Sequence, residues 1–317
     1  MVVFAGQGDA RRSMSLLWRG GRPDRPRRGR APGPRPGLSV DTIVTAAIAV
    51  ADEEGMAALS MRTVGERLGR TAMALYTYVP GKGELLDLMY DAVHVELPGA
   101  DAYADAADWR AGLTAWARDT LVFLLRHPWV LQVSQARPVL GPHEYAALDT
   151  LVRLLNGTGL DAPLVRRLVG TLTHLVRGCA ATVAEARQAA AVTGESDEAW
   201  WFARSALLGE VAPDFADRWP ALSAMEHDSA PRPPSAEDTG SDGRDAGATP
   251  LADGGDAGAA PLDIGGDAGA TPYLEREARG TLAVGLGVLL DGIEAAIRRA
   301  EAIRARGGAA SPHTTSP

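Results

Sequence analysis

Phosphate-binding side chains cluster around the stretch TAMALYTYVPGKGELL, residues 71–86, which contains the only lysine of the chain. Arginine, lysine, tyrosine and threonine side chains all bind phosphate oxygens. A helix predicted to start at Gly81 and Lys82 would add free backbone N–H groups and the positive end of a helix dipole. The clustered side chains are those of Arg62, Arg70, Tyr76, Thr77, Tyr78 and Lys82. Their chemistry favours contact with a phosphate backbone.

The charge of the chain changes sign at this cluster. The whole chain has 32 Lys and Arg against 40 Asp and Glu, a formal net charge of −8. Residues 1–82 contain 13 basic and 7 acidic residues, whereas the remainder contains 19 basic and 33 acidic residues. A basic segment on an otherwise acidic chain is typical of a region that faces nucleic acid.

Three short amphipathic helices are predicted to position the cluster. Ser39 and Ser60 are suitable N-cap residues, and Gly55 and Gly69 end the two helices that follow them. A third helix is expected over 71–79, and the tight turn before it indicates a helix-turn-helix. Helical periodicity continues to residue 305 without strand alternation, so the predicted fold class is all-α.

The composition divides the chain into ordered and disordered parts. Arg, Pro and Gly dominate the N-terminus, which is expected to be disordered and is either a basic arm on DNA or a misassigned start. An 11-residue repeat with Pro and paired Gly is interpreted as a flexible insert, because these residues prevent a helix. The predicted parts are a disordered segment 1–37, a helix-turn-helix domain 38–84, a second helical domain 85–305 with the insert 226–272, and a disordered tail 306–317.

Residues 40–90 resemble the DNA-binding segment of the Tet-repressor (TetR) family of bacterial regulators. The segment GMAALSMRTVGERLGRTAMALYTYVPGKGELLDLM carries the resemblance through LSMR, LG, LY and the lysine that precedes LL. Two departures occur: Arg70 stands where a hydrophobic residue is usual, and Thr77-Tyr78 replaces a Trp/Arg-His pair. The resemblance implies that the third helix enters the major groove of a pseudo-palindromic double-stranded operator. It implies phosphate contacts for Tyr76 and Lys82, and base-facing positions for Thr71, Ala72, Met73 and Ala74.

The rest of the chain is similar to the Tet-repressor subclass. Trp109, the Arg137-Pro138 pair and the stretches at 173–180 and 200–222 carry this resemblance. It implies a C-terminal helical ligand-binding domain, and a homodimer formed by the predicted helices 162–190 and 273–305.

The same resemblance implies a small-molecule effector that is apolar or aromatic. The positions that hold magnesium-tetracycline in the Tet repressor fall near Ser134 and Thr182, so neither a metal nor a cofactor is expected. The family alignment predicts a pocket lined by Pro98, Trp116, Thr120, Arg137, Leu148, Leu151 and His174.

These features lead to the hypothesis of a ligand-responsive repressor. One alternative is a DNA-binding or scaffolding dimer that ignores ligands, and another is a redox-responsive repressor that uses Cys179, the only cysteine. No catalytic motif is present and the histidines lack metal-ligand spacing, so an enzyme is not expected. A cytoplasmic protein is predicted, because no signal peptide or membrane-length apolar run is visible and one cysteine excludes an internal disulfide.

Overall fold

The computed structural model describes residues 2–20, 37–106, 108–229 and 272–308. Within these residues the secondary structure is helical, apart from one isolated parallel bridge between Val3 and Val133. The α-helices are α1 Ala10–Leu17, α2 Val40–Glu54, α3 Met61–Arg67, α4 Ala72–Tyr76, α5 Lys82–Val93, α6 Trp109–Arg126, α7 Pro142–Asn156, α8 Ala162–Thr193, α9 Asp197–Val211, α10 Phe215–Arg218, α11 Pro220–Ser229 and α12 Tyr273–Gly308. The predicted all-α fold is confirmed.

Side-chain caps define the helices of the N-terminal domain. The hydroxyls of Ser39, Ser60 and Thr71 accept backbone N–H groups in the first turns of α2, α3 and α4. α2 packs against α5 and α3, and α3 packs against α4. Ile43, Leu75 and Leu85 are fully buried in the core that these helices share. Burial of several side chains of this size contributes about 1.5–3 kcal/mol each before the entropy of ordering is subtracted.

α8 and α12 are the longest helices, with 32 and 36 residues. They pack closely, since a Cβ added to Gly285 on α12 would lie 3.1 Å from Leu175 on α8. Leu282 and Leu286 of α12 are buried in the same core. By length and composition α12 could cross a membrane, but a helix in the core of a soluble bundle passes the same test.

The chain divides into two compact units. One contains residues 1–187 and 261–317, and the other contains residues 188–260. Within the second unit, α9 has no buried residue and exposes Trp201 and Phe202, and the rings of Phe215 and Trp219 pack at a centroid distance of 4.9 Å.

The prediction of a disordered N-terminus is wrong for residues 2–20. Asp9 caps α1 by accepting the N–H of Arg12 at 2.8 Å. Upstream of the helix, the N–H of Gly6 donates to the carboxylate of Asp87 on α5 at 2.9 Å. Ala5 and Leu17 are buried, so this segment has an apolar anchor that its average composition conceals.

The same segment reaches the loop that precedes α7. The N–H of Val3 donates to the Gln132 carbonyl, and the N–H of Ser134 donates to the Val3 carbonyl, each at 2.8 Å. The indole N–H of Trp18 donates to the Leu140 carbonyl at 3.0 Å. We name residues 2–20 the N-terminal segment; the remainder of the predicted disordered region, 21–36, lies outside the described residues.

Other predicted boundaries differ less. The third helix ends at Tyr76 instead of residue 79. α11 continues to Ser229, so the first residues of the predicted insert are helical, and α12 continues to Gly308, so the first residues of the predicted tail are helical. The rest of the 226–272 insert and of the 306–317 tail lies outside the described residues.

Candidate DNA interface and effector cavity

The turn between α3 and α4 depends on two glycines. Gly69 has φ +63°, a left-handed conformation that side chains with a Cβ rarely adopt. The N–H of Arg70 donates to the Gly65 carbonyl at 2.8 Å. A Cβ on Gly65 would lie 2.8 Å from the Arg70 carbonyl oxygen, so the turn can approach α3 only at a glycine. The close crossing of α3 and α4 is that of a helix-turn-helix.

The second helix of this motif presents its front to solvent. Thr71 caps α4 by accepting the N–H of Ala74 at 3.3 Å, and Leu75 anchors the helix in the core. Met73 is 74% exposed, whereas Ala72 and Ala74 are half-buried. The structure therefore brings the four predicted base-facing residues together, with Met73 projecting furthest.

The predicted phosphate-binding side chains lie on the surface around α4. Tyr76, Thr77 and Tyr78 are exposed at its C-terminal end. Arg70 and Lys82 are exposed and form no ion pair among the described residues. Lys82 is the first residue of α5, whose N-cap, Gly81, makes no side-chain hydrogen bond, so the first backbone N–H groups of this helix lack a side-chain cap.

Arg62 differs from the other cations of this surface. Its Nε donates to a carboxylate oxygen of Glu66 at 2.8 Å, in a solvent-exposed pair one helical turn apart. This ion pair was not predicted from the sequence, although the i,i+4 spacing of the two residues indicates it. Exposed ion pairs of this kind contribute little to stability, so Arg62 remains available to an incoming phosphate.

Two cavities that share four lining residues lie in the C-terminal domain. The aromatic cavity has a volume of about 180 Å³ and the loop cavity about 520 Å³. Residues 133–139 line most of the loop cavity. Aromatic and aliphatic side chains line the aromatic cavity, among them Trp116, Phe123, Leu124, Leu148 and Leu151. The shared residues are Tyr90, Gln135, Glu144 and Thr173.

Six of the seven predicted pocket residues line one of these cavities. Trp116, Thr120, Leu148 and Leu151 line the aromatic cavity, and Arg137 and His174 line the loop cavity. Pro98 lines neither of them, and its neighbour Leu97 lines the aromatic cavity instead.

Several polar residues that line the aromatic cavity were not predicted from the sequence. The three that matter most are Tyr90, Glu144 and Arg177. No local motif marks them, because they come from three different helices. The only signal is helical spacing, which places Arg177 one turn after the predicted pocket residue His174.

Burial shifts the pKa values of the ionisable groups in the cavity walls. Burial raises the pKa of Tyr90 to about 12, together with the nearby Glu144 and against the opposing effect of Arg177. It also raises the pKa of Glu144, although backbone N–H groups at 139–141 partly oppose that change. Burial lowers the pKa of His94 and of Arg177. The cavities therefore disfavour charge on every one of these groups.

A buried carboxylate connects α5 to the start of α7. Asp91 accepts the backbone N–H groups of His143 and Glu144 at 2.8 and 3.0 Å, and one of its oxygens lies 2.9 Å from Nδ1 of His143. A Cβ on Gly141 would overlap this carboxylate. The helix that begins at Lys82 thus holds the N-terminus of α7 and contributes Tyr90 to the aromatic cavity, and His94, directly after the helix, lines the same cavity.

Two further observations concern the redox-responsive alternative and metal binding. Burial raises the pKa of the Cys179 thiol, whereas a redox sensor requires a lowered pKa. Among the described residues, no three His, Cys, Asp or Glu side chains lie close enough to hold a metal ion.

Comparison with known proteins identifies both domains. Residues 43–89 match the profile of bacterial regulatory proteins of the tetR family. Residues 103–239 match the profile of the tetracyclin repressor-like C-terminal domain. The first match contains the helix-turn-helix and Lys82, and the second contains the residues that line both cavities except Tyr90, His94 and Leu97.

Two curated relatives and two solved structures are similar to the chain. The HTH-type transcriptional repressor DrrR1 of Streptomyces coeruleorubidus is 41% identical over 226 residues, which are 71% of this chain and 80% of the relative. An HTH-type transcriptional regulator of Saccharopolyspora erythraea is 32% identical over 191 residues, 60% of this chain and 75% of the relative.

The two structures, both from Streptomyces coelicolor, share the fold. The TetR family protein ActR in complex with actinorhodin has a TM-score of 0.53 and 19% identity, over 82% of this chain and 97% of ActR. The transcriptional regulator SCO7222 has a TM-score of 0.52 and 21% identity, over 82% of this chain and 99% of that chain. Together with the family profiles and the two relatives, these matches show that the chain belongs to the TetR family of DNA-binding bacterial transcription regulators.

Proposed function

We propose that the protein is a transcriptional repressor that binds a pseudo-palindromic operator as a homodimer and is released by a small molecule. The observation that carries this proposal is the position of α5. Lys82, the first residue of α5, follows α4 closely in the chain, and Tyr90, near the other end of α5, lines the aromatic cavity together with His94. The name of the relative DrrR1, a transcriptional repressor, agrees with this function.

In this proposal α4 reads the major groove. Thr71, Ala72, Met73 and Ala74 face base edges, because they form the exposed front of the helix. The surrounding hydroxyl and cationic groups position the protein on the backbone without reading sequence. These phosphate contacts come from Arg62, Arg70, Tyr76, Thr77, Tyr78 and Lys82.

The effector acts by changing the position of α5. A ligand in the cavities contacts Tyr90 on α5 and Glu144 on α7, two helices that Asp91 already joins. Such a ligand releases DNA only if it binds the released conformation more tightly than the DNA-bound one. The proposed effector contacts include Trp116, Thr120, Arg137, Leu148, Leu151 and His174.

TetR family members are dimers, and the proposed dimer interface is formed by α8 and α12. Two copies present two recognition helices to successive major grooves of one operator. A regulator of this kind works where the bacterial chromosome lies, so we expect it in the cytoplasm.

A DNA-binding titration tests the proposal. The full chain is titrated against the promoter fragment upstream of its own gene and against a scrambled fragment of equal length. We expect a discrete complex on the promoter fragment whose affinity falls steeply with salt. A folded, dimeric sample that binds both fragments equally at low salt would refute the proposal.

A ligand screen distinguishes the ligand-independent alternative. The chain is screened by thermal shift against aromatic natural products, and each stabilising compound is added to the preformed DNA complex. A compound that stabilises the protein and dissociates the complex supports a ligand-responsive repressor. Stabilising compounds that leave the complex intact favour a DNA-binding dimer that ignores ligands.

A further inference from the structure

Arg177 is a cation in the wall of the aromatic cavity without an acidic partner. It projects from α8, is half-buried, and donates one hydrogen bond from Nη2 to the Leu131 carbonyl at 3.1 Å. It makes no other polar contact with the described residues. A guanidinium has five N–H donors, and burial of a charge without a counter-charge is costly. The guanidinium therefore has N–H donors that a bound ligand can use.

The acidic side chains nearby are committed elsewhere. Among the described residues, Glu144 is the only one with a carboxyl group that lines the aromatic cavity. It accepts the N–H of Leu140 at 2.6 Å, and burial raises its pKa, which favours its neutral form. Asp91 is occupied by the backbone N–H groups of His143 and Glu144. Neither carboxyl group neutralises Arg177.

The other residues that line the aromatic cavity indicate the chemistry of the ligand that would bind beside Arg177. Trp116, Phe123 and Leu151 are almost fully buried and present flat or aliphatic surfaces to the cavity. The hydroxyl of Thr120 is buried in the same wall and has no hydrogen-bond partner among the described residues. Buried polar groups in native proteins nearly always have partners, so this hydroxyl is available to a ligand.

We propose that the effector of this protein is an aromatic compound with an acidic oxygen group, and that Arg177 binds that group. The fused or substituted ring lies against Trp116, Phe123 and Leu151, and Thr120 hydrogen-bonds a second polar atom of the ligand. A planar guanidinium matches a carboxylate with two parallel hydrogen bonds. This inference rests on the proposed function, because it assigns the chemical class of the effector.

The proposal makes a prediction about the protein without ligand. Arg177→Met replaces an unpaired, half-buried charge by an apolar side chain of similar length. We expect the Tm of the free protein to stay unchanged or to rise, because the residue is kept for ligand binding at a cost in stability. A large fall in Tm, or failure of the variant to fold, would identify Arg177 as structural and overturn the proposal.

Matched ligand pairs test the chemistry directly. The probes are three carboxylates (benzoate, 2-naphthoate and anthraquinone-2-carboxylate) and their neutral carboxamides, with affinity measured by calorimetry without DNA. We expect the best carboxylate to bind the wild type at least about tenfold more tightly than its amide. Arg177→Met should remove this difference, Arg177→Lys should retain part of it, and Thr120→Val should weaken both members of the pair. Arg153→Met, which removes an exposed arginine outside the cavity, should leave both affinities unchanged.

Three results of these titrations would overturn the proposal: equal affinity for the acid and the amide, a preference that survives in Arg177→Met, or no binding of any of the three carboxylates. Dissociation of DNA is measured separately with the same compounds. A carboxylate that binds through Arg177 but leaves the operator complex intact supports the anion site and contradicts the proposed ligand-responsive repressor. The two failures are therefore distinguishable.

Discussion

Lys82 and Arg70 are exposed on either side of the recognition helix, and neither has an ion-pair partner in the described parts of the chain. Each free cation that neutralises a phosphate contributes about 0.9 to the slope of log affinity against log salt. We therefore expect Lys82→Ala to weaken binding similarly on all DNA sequences and to lower the slope by about one per half-site. Fluorescence anisotropy at four salt concentrations measures both quantities.

The matched control for Lys82→Ala is Arg153→Ala, which removes an exposed cation on α7 far along the chain from the helix-turn-helix. It should change neither affinity nor slope. An unchanged slope in Lys82→Ala would contradict a phosphate contact. Lys82→Arg tests whether this position requires a lysine or only a positive charge, because a guanidinium is larger and more rigid than an ammonium. Full affinity of that variant would show that any cation suffices.

His94 is the residue through which acid should weaken the fold. Burial lowers its pKa below the ordinary value of 6.5, so the unfolded chain binds this proton more tightly than the folded one. The stabilisation is present above pH 6.5 and is lost as the pH falls through the lowered pKa. We expect the Tm to fall between pH 7.5 and pH 5.5, and to fall less in His94→Gln.

Differential scanning calorimetry at five pH values measures this effect. A loss of about 1 kcal/mol lowers the Tm of a protein of this size by about 2–4 °C. Glu144 has a raised pKa, and its contribution is lost as the pH rises. Because the wild type and His94→Gln share the contribution of Glu144, the difference between their curves of Tm against pH gives the contribution of His94. Parallel curves would contradict the prediction.

At the scale of the elements, helix N-caps and the turn glycine could be predicted from the sequence. Ser39 and Ser60 act as N-caps as predicted, and Gly69 makes the turn with a positive φ. Thr71 also caps its helix, a role that was not predicted for it. These are short-range effects that the residues themselves carry. Six of the seven pocket positions that the family alignment predicts line a cavity. Arg177 was not among them, because its position depends on how α8 packs against its neighbours.

The N-terminal segment shows the opposite case. Its cap, Asp9, is a local signal, but Arg, Pro and Gly in residues 21–36 dominated the average composition. The contacts that fix it are tertiary: Gly6 with Asp87, and Trp18 with Leu140. A composition argument cannot detect a short helix that is anchored by residues many positions away.

Gly8 provides a test of this docked segment. A Cβ at this position would overlap the carboxylate of Glu84, which is itself buried, so the side chain cannot move freely. We expect Gly8→Ala to cost about 1 kcal/mol or more and to lower the Tm by about 2–4 °C. Gly37→Ala is the control, since a Cβ there has no atom within 4 Å. Equal Tm values for the two variants would contradict docking of the N-terminal segment on α5.

At the scale of the whole molecule, the proposed function makes α5 the element that DNA and effector share. With a rise of about 1.5 Å per residue, Lys82 and Tyr90 are about 12 Å apart along the helix axis. Asp91 ties the same helix to α7, whose Glu144 lines both cavities. In the proposed function, displacement of this one helix connects the two sites, and no chain of intermediate residues is required.

The final requirement is a second copy of the chain, and α12 has a suitable surface for it. Val284 and Val288 lie one turn apart and are 69% and 68% exposed, while Leu282 and Leu286 on the other side are buried. We expect the double substitution Val284→Arg and Val288→Arg to give a folded monomer, because four arginines would meet across the interface. Its operator affinity should fall by a factor of about 10² or more, since the second half-site is then bound without the high effective concentration of a dimer. Sedimentation velocity gives the mass, circular dichroism the helix content and anisotropy the affinity. Val95→Arg, at a valine that is 66% exposed outside α8 and α12, should remain a dimer. If the double variant is still a dimer with full affinity, the interface lies elsewhere.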